Sequence, residues 1–214
     1  GGDSASVRNQ LNSSVVSVAS TTGAFAALKE DGSVVTWGNS NYGGNSSGID
    51  FDGANNNLTV TELFSSTAAF AAVRSDGSVV TWGNRAEGGD SSNVAAELDG
   101  SNAVSTIRSS NAAFAALRAD GSVVTWGDNN FGGDSSNVDF NGSPNNLTAT
   151  DIYASERAFA AILSNGSVVT WGDDQSGGDS SSVASDLNGD IDVARVISTG
   201  SAFAALRTDG SVVT

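Results

Sequence analysis

The chain has 214 residues, a formal charge of −15 and no His, Cys or Met. That composition removes disulfides, ordinary zinc, haem and iron–sulfur ligation, and every His- or Cys-based catalytic pair, leaving carboxylates, hydroxyls and amides for any chemistry. So acidic a chain is disfavoured on nucleic acid or an anionic membrane, and no apolar run approaches the roughly 18 residues of a spanning helix.

The chain opens on Gly1-Gly2-Asp3-Ser4, a piece that returns later in the form Gly132-Gly133-Asp134-Ser135-Ser136. Val15-Val16-Ser17-Val18 then reads as a strand. Ala24-Phe25-Ala26-Ala27 and Val34-Val35-Thr36-Trp37 follow as short apolar runs joined by Asp31-Gly32, a strong hairpin signal. An Ala-rich run suits a helix as well, but this one is short and abuts Asp-Gly, which favours strand. The pattern then returns, with Asp-Gly or Asn-Gly at Asp31, Asp76, Asp120, Asn165 and Asp209, at spacings of 45, 44, 45 and 44 residues. A fixed period of about 40–50 residues marks a repeat architecture. The first strand returns as Val60–Phe64, Ala103–Arg108, Ala149–Tyr153 and Val193–Ile197, and Trp37 returns as Trp82, Trp126 and Trp171. The Gly-Gly-Asp-Ser-Ser piece is read as a short outer fourth strand. Continuous apolar inner strands fit sheets buried on both faces, and one Trp per repeat fits a core position between repeats better than a row for stacking ligands.

The segment Leu28-Lys29-Glu30-Asp31-Gly32-Ser33-Val34-Val35-Thr36-Trp37-Gly38-Asn39 resembles the core of the RCC1-type repeat, Leu-Thr-x-Asp-Gly-x-Val-x-x-Trp-Gly-x-Asn. The resemblance runs through all five repeats. It implies an all-β fold, a β-propeller of four-stranded antiparallel blades. The family's Gly-Gln-Leu-Gly is replaced here by Gly-Gly-Asp/Asn-Ser, and the His that often precedes its second strand is Ala, as at Ala24. Exchange-factor and chromatin roles therefore do not carry over. The near-identity of the repeats is similar to bacterial tandem-repeat surface proteins, and the family also includes a bacterial β-lactamase inhibitor propeller.

One domain over 1–214 is expected, with repeats at about 8–47, 48–92, 93–136, 137–181 and 182–214 plus 1–7. The second and fourth repeats carry longer inserts, Ile49–Thr59 and Val138–Thr148, which gives an alternating order with an 89-residue superperiod. Gly1–Ser4 matches the end of a repeat and Ser211–Thr214 its third strand, so the two termini together can complete one blade. Three readings stay open: a closed five-bladed ring, a slice of a larger array, or strands that join neighbouring molecules.

Acidic and amide side chains alternate in Asp186-Leu187-Asn188-Gly189-Asp190-Ile191-Asp192. Ca²⁺ takes oxygens at such spacing, so Asp186, Asn188, Asp190 and Asp192 are the candidate metal ligands, against the plainer reading of a solvated turn. Asp50-Phe51-Asp52-Gly53 and Asp139-Phe140-Asn141-Gly142 are weaker versions. Asn12, Asn57 and Asn146 fit the glycosylation pattern, as expected by chance in an Asn/Ser/Thr-rich chain. The hairpin aspartates recur at equivalent positions, which fits a turn role and argues against a catalytic pair. Residues that do not repeat are freer to serve a ligand: Tyr42, Arg85, Phe131 and Gln175, in the loop after Trp-Gly, are the candidate binding residues. The expectation is a non-enzymatic extracellular or cell-surface module that displays these loops to a protein or glycan, binds no nucleic acid and inserts in no membrane. Self-assembly through the terminal strands is the second reading, and inhibition of a secreted enzyme the third.

Overall fold

A computed structural model describes residues 2–53, 57–142 and 146–214. Gly1 of the opening motif, 54–56 and 143–145 of the two longer inserts lie outside the described residues. Five antiparallel sheets follow one another along the chain: β1-β2-β3 (Val15–Ser20, Ala24–Lys29, Val34–Gly38), β4-β5-β6 (Val60–Ser65, Ala69–Arg74, Val79–Gly83), β7-β8-β9 (Val104–Ser109, Ala113–Arg118, Val123–Gly127), β10-β11-β12 (Ala149–Ala154, Ala158–Leu163, Val168–Gly172) and β13-β14-β15 (Val193–Ser198, Phe203–Arg207, Val212–Val213). The chain divides into two compact units, Gly1–Val104 and Ser105–Thr214. Unit 1 contains the first two sheets. The third begins at the boundary and otherwise lies in unit 2 with the last two.

Each sheet has three strands, not the expected four. The piece read as an outer strand turns instead: Ala5–Val7, Ser92–Val94 and Ser181–Asp186 are 3₁₀ helix. The cause is local. The Asp of Gly-Gly-Asp accepts from the amide two residues on, Asp90 from Ser92 at 3.0 Å and Asp179 from Ser181 at 2.8 Å, which curls the backbone out of the pleat. The segment still meets its sheet: the Val79 amide donates to Leu98 at 2.9 Å and that of Val168 to Leu187 at 3.0 Å, and the Thr81 and Thr170 hydroxyls donate to Ser91 and Ser180 at 3.1 and 3.0 Å.

The Asp-Gly hairpins form as read, with one residue more than a two-residue turn. The Gly32 amide donates to Lys29 and the Lys29 amide to Ser33, both at 2.9 Å, with Gly32 left-handed at φ 80°. This is the three-residue loop whose last position favours Gly. Asp31 closes it by accepting from the Ser33 amide at 3.0 Å and hydroxyl at 2.6 Å. The same turn joins one repeat to the next, because the Val60 amide donates to Gly32 at 3.1 Å and the Val193 amide to Gly166 at 2.9 Å.

Middle strands β5, β8 and β11 are buried along almost their whole length, as their unbroken apolar sequence requires. Across the hairpins of the first four repeats the Phe faces the Trp, Phe70 opposite Trp82 and Phe159 opposite Trp171, with rings stacked 5.1 and 5.4 Å apart. In unit 1, Ala24, Ala26 and Leu28 of β2 pack on Val60, Phe70, Ala72 and Trp82 of the second repeat. In unit 2, Ala113, Ala115 and Leu117 of β8 pack likewise on Ile152, Phe159, Ala161 and Trp171. Small Ala side chains on one sheet leave room for the aromatic pair of the next, at the density that interiors demand. Trp82 and Trp171 are thus core between repeats, at most 4% exposed; Trp126 is buried as well, and Trp37, in the first repeat, is half-buried.

Candidate binding loops

After each Trp-Gly the chain makes one three-residue 3₁₀ turn: Ser40–Tyr42, Arg85–Glu87, Asn129–Phe131 and Asp174–Ser176. Three repeated interactions fix its backbone. First, Asn39, Asn84, Asp128 and Asp173 cap it, each side chain accepting from the amide two residues on at 2.8–3.1 Å. Second, it ends on a left-handed glycine, Gly43, Gly88, Gly132 or Gly177. Third, a hydroxyl from the turn between the first two strands reaches across. Thr21, Ser66, Ser110 and Ser155 donate to the carbonyls of Tyr42, Glu87, Phe131 and Ser176 at 2.8–3.0 Å. Those same hydroxyls accept from the amides of Ala24, Ala69, Ala113 and Ala158.

On this constant frame the side chains differ: Ser-Asn-Tyr, Arg-Ala-Glu, Asn-Asn-Phe and Asp-Gln-Ser. The four candidate residues all lie on these turns but not at one position of them. Tyr42 and Phe131 are third in their turns, half-buried and packed on the core, and Arg157 lies over the Phe131 ring at 4.6 Å. Arg85 is first in its turn, its side chain 84% exposed and paired with Asp90 at 2.6 Å. Gln175 is second and exposed. The residues aligned with Tyr42 and Phe131 are Glu87, which accepts from the Asn84 side chain at 2.8 Å, and Ser176, which is buried. Counting back from Gly-Gly would have found them. Asp90 was also missed. The Arg85 guanidinium, helped by the Ser92 amide and hydroxyl, holds its carboxyl down to about 2.

The turn proposed for calcium places its side chains on one another. Asn188 donates to Asp190 at 2.8 Å and accepts from the Asp190 amide at 2.9 Å. Asp186 stands 3.6 Å from Arg207, and Asp192 lies against Gly166 of the hairpin. Among the described residues no three His, Cys, Asp or Glu side chains are grouped to hold a metal. Asp139 closes a turn on the amides of Asn141 and Gly142. Asn12, Asn57 and Asn146 are exposed.

No family model and no curated protein sequence matches the chain. Solved structures do. The chain is similar to yeast RCC1 (Prp20), in the structure of Kap60 bound to it, at 17% identity and TM-score 0.57, over 92% of this chain and 55% of that one. It is similar to human WBSCR16 at 17% identity and TM-score 0.52, over 92% and 59%. It is similar to the ectodomain of the Physcomitrella patens receptor kinase CR4 at 13% identity and TM-score 0.52, over 91% and 47%. The chain spans about half the length of these structures. The likeness is one of fold, and with the five repeated sheets it supports an RCC1-like β-propeller fold.

Proposed function

We propose that the chain is a non-enzymatic binding module, in which a repeated scaffold holds one variable 3₁₀ turn per repeat for a protein or glycan partner. The carrying observation is the contrast between a turn backbone fixed by an Asn or Asp cap, a glycine and a hydroxyl in four repeats and side chains that differ throughout at its first and third positions, Asn being second in both the first and third repeats. A scaffold of no further use has no need to vary the turns while holding their frame, and binding residues sit disproportionately on rigidly held loops. Prp20 is described with Kap60, Gsp1p and histones, and CR4 as a receptor ectodomain. A partner surface on this fold is therefore in keeping with its relatives in structure, and the charge of −15 speaks against a nucleic-acid ligand. An extracellular or cell-surface setting and a bacterial origin belong to the same reading. Cross-linking of a bound partner, mapped by mass spectrometry, is expected to place it on the turns at 40–42, 85–87, 129–131 and 174–176. An Arg85→Ser/Gln175→Ala variant is expected to keep its Tm and lose at least tenfold in affinity. Cross-links elsewhere with unchanged affinity would sink the proposal. A calcium ion on the 186–192 turn needs the Asn188–Asp190 bond to be exchanged for metal, and would appear as a calcium-dependent rise in Tm lost in Asp190→Asn.

A second reading is self-association through the strands near the termini. The large apolar side chains that stand exposed among the described residues are Val15, Val16, Val18, Ile197 and Val212, all in the first and fifth repeats, with Val16 at 60% and Val212 at 59%. Light scattering on a sizing column separates the two: concentration-dependent polymers abolished by Val16→Lys would favour assembly.

A further inference from the structure

The chain contains three Asn-Gly bonds, Asn141-Gly142, Asn165-Gly166 and Asn188-Gly189, all in unit 2. Such a bond can close on itself. The glycine amide nitrogen attacks the Asn side-chain carbon, and no Cβ on the glycine stands in the way. The attack needs a glycine amide that is free to give up its proton. In all three pairs the Asn is exposed and the glycine is left-handed, at φ 49°, 78° and 90°. Exposure and backbone conformation therefore do not tell them apart.

Hydrogen bonding does. The Gly166 amide donates to the Leu163 carbonyl at 2.8 Å, inside the hairpin turn that Asn165 closes. The Gly142 amide donates to the Asp139 carboxylate at 2.9 Å. Among the described residues nothing accepts from the Gly189 amide. The Asn188 side-chain oxygen accepts from the Asp190 amide at 2.9 Å, a donor placed where negative charge gathers once the carbon is attacked. Asn165 has an equivalent donor in the Ser167 amide at 3.1 Å, which leaves the state of the glycine amide to separate the two.

We propose that Asn188 is a site of spontaneous deamidation in the folded chain, and that the fold protects Asn141 and Asn165. The Gly189 nitrogen loses its proton to solvent base and bonds to the Asn188 Cγ. The Cγ–Nδ2 bond breaks, and ammonia leaves with a proton taken from water. Water then opens the cyclic imide at either carbonyl, leaving Asp or isoAsp at 188, with no oxidant or reductant involved. The product changes the turn. It loses the Asn188 Nδ2 donation to Asp190 at 2.8 Å and sets a second carboxylate beside that one. IsoAsp also lengthens the backbone by a carbon between two fixed points. These are the Leu187 carbonyl, which accepts from the Val168 amide at 3.0 Å, and the Asp192 carbonyl, which accepts from that of Thr208 at 2.9 Å. Gly189 has little slack to absorb it, since even a Cβ there would stand 2.7 Å from the Asn165 carbonyl oxygen. Conversion therefore weakens the turn that leads into β13.

The full chain is held in mildly alkaline, calcium-free buffer and sampled by peptide mapping with mass spectrometry, which reads the amide-to-acid mass gain at all three Asn together. Asn188 is expected to convert roughly fivefold faster, or more, than Asn141 and Asn165, whose glycine amides must first break a hydrogen bond. In concentrated urea, where the turns are gone, the three rates should come together. The Asn188→Ser variant cannot form the imide, and should keep its Tm over a period in which that of the parent falls. Equal rates in the folded chain, faster conversion at Asn141 or Asn165, the same ranking in urea, or a loss of Tm that Asn188→Ser shares would each overturn the proposal. The 186–192 turn lies apart from the variable turns, so the binding proposal and this one fail separately.

Discussion

The hydroxyl at the turn between the first two strands shows how much one side chain can hold. Ser155 is buried, accepts from the Ala158 amide at 3.0 Å and donates to the Ser176 carbonyl at 2.9 Å. It joins the strand turn to the binding loop and satisfies two backbone groups that no water reaches. Replacing it by Ala leaves both unpaired, at a cost of about 1–3 kcal/mol. Its counterpart Thr199 is exposed and bonds only within its own turn, to Ala202 and Ser201. Ser155→Ala is therefore expected to be clearly destabilising in urea unfolding, and Thr199→Ala to stay within about 0.5 kcal/mol of the parent. Equal effects at the two sites would mean that the cross-loop bond contributes nothing. The sequence announced these residues poorly. A lone Ser or Thr in a Ser-rich chain looks like any other turn residue, and its role appears only when the loop 21 residues on comes to lie above it.

Among the elements, the hairpins were legible and the outer segment was not. Asp31-Gly32 between two apolar runs has few other solutions, and the register Phe25 opposite Trp37 follows from the turn. The Gly-Gly-Asp-Ser-Ser piece was misread because a four-stranded blade asks for an outer strand there, while the Asp side chain, bonding two residues forward, decides for a turn. The candidate binding residues were found on the right element but out of step with one another. They had been chosen for chemical character after Trp-Gly, while the fold counts from the left-handed glycine that follows. That glycine gives a test at this scale. Gly132 is left-handed at φ 87°, and a Cβ on it would meet Phe159 at 2.5 Å, while Gly210, left-handed at φ 85°, has nothing within 4 Å. Both substitutions to Ala bear the backbone cost of about 1–2 kcal/mol, and only Gly132→Ala adds an overpacking cost of about 1–3 kcal/mol. Chevron or equilibrium denaturation should therefore separate the two by at least 1 kcal/mol. Indistinguishable variants would show that the Gly–Phe approach yields without strain.

At the scale of the whole chain, charge and capping pull stability in opposite directions as pH falls. Nine basic residues face 24 acidic ones, so acidification from neutrality toward the isoelectric point near 4.1 relieves self-repulsion and stabilises. Many of the same carboxylates work as turn caps. Hydrogen bonds from the Ser33 hydroxyl and amide hold Asp31 below its ordinary range, those of Ser211 hold Asp209, and the Ser136 and Ser181 amides hold Asp134 and Asp179. Burial pushes Asp76 up, but the Ser78 hydroxyl and amide outweigh it, and the net shift is downward. A carboxyl whose pKa is lower in the folded state than in the unfolded chain stabilises fully above about 3.9 and loses that contribution as pH falls through the folded value, about 2 for Asp90. Tm should thus hold or rise from pH 7 to about 4.5, then fall steadily toward pH 2. Salt separates the two effects. At about 1 M salt the screening length is near 3 Å, so long-range repulsion vanishes while short hydrogen bonds persist. The rise above pH 4.5 should flatten at high salt and the fall below it should remain. A Tm at pH 2.5 equal to that at pH 5 in high salt would mean that the Asp turns do not hold their shape by ionised caps. Repetition sets the size of this effect. Each repeat contributes a small acid-labile turn, and the period that makes the fold readable also makes its weakest interactions fail together.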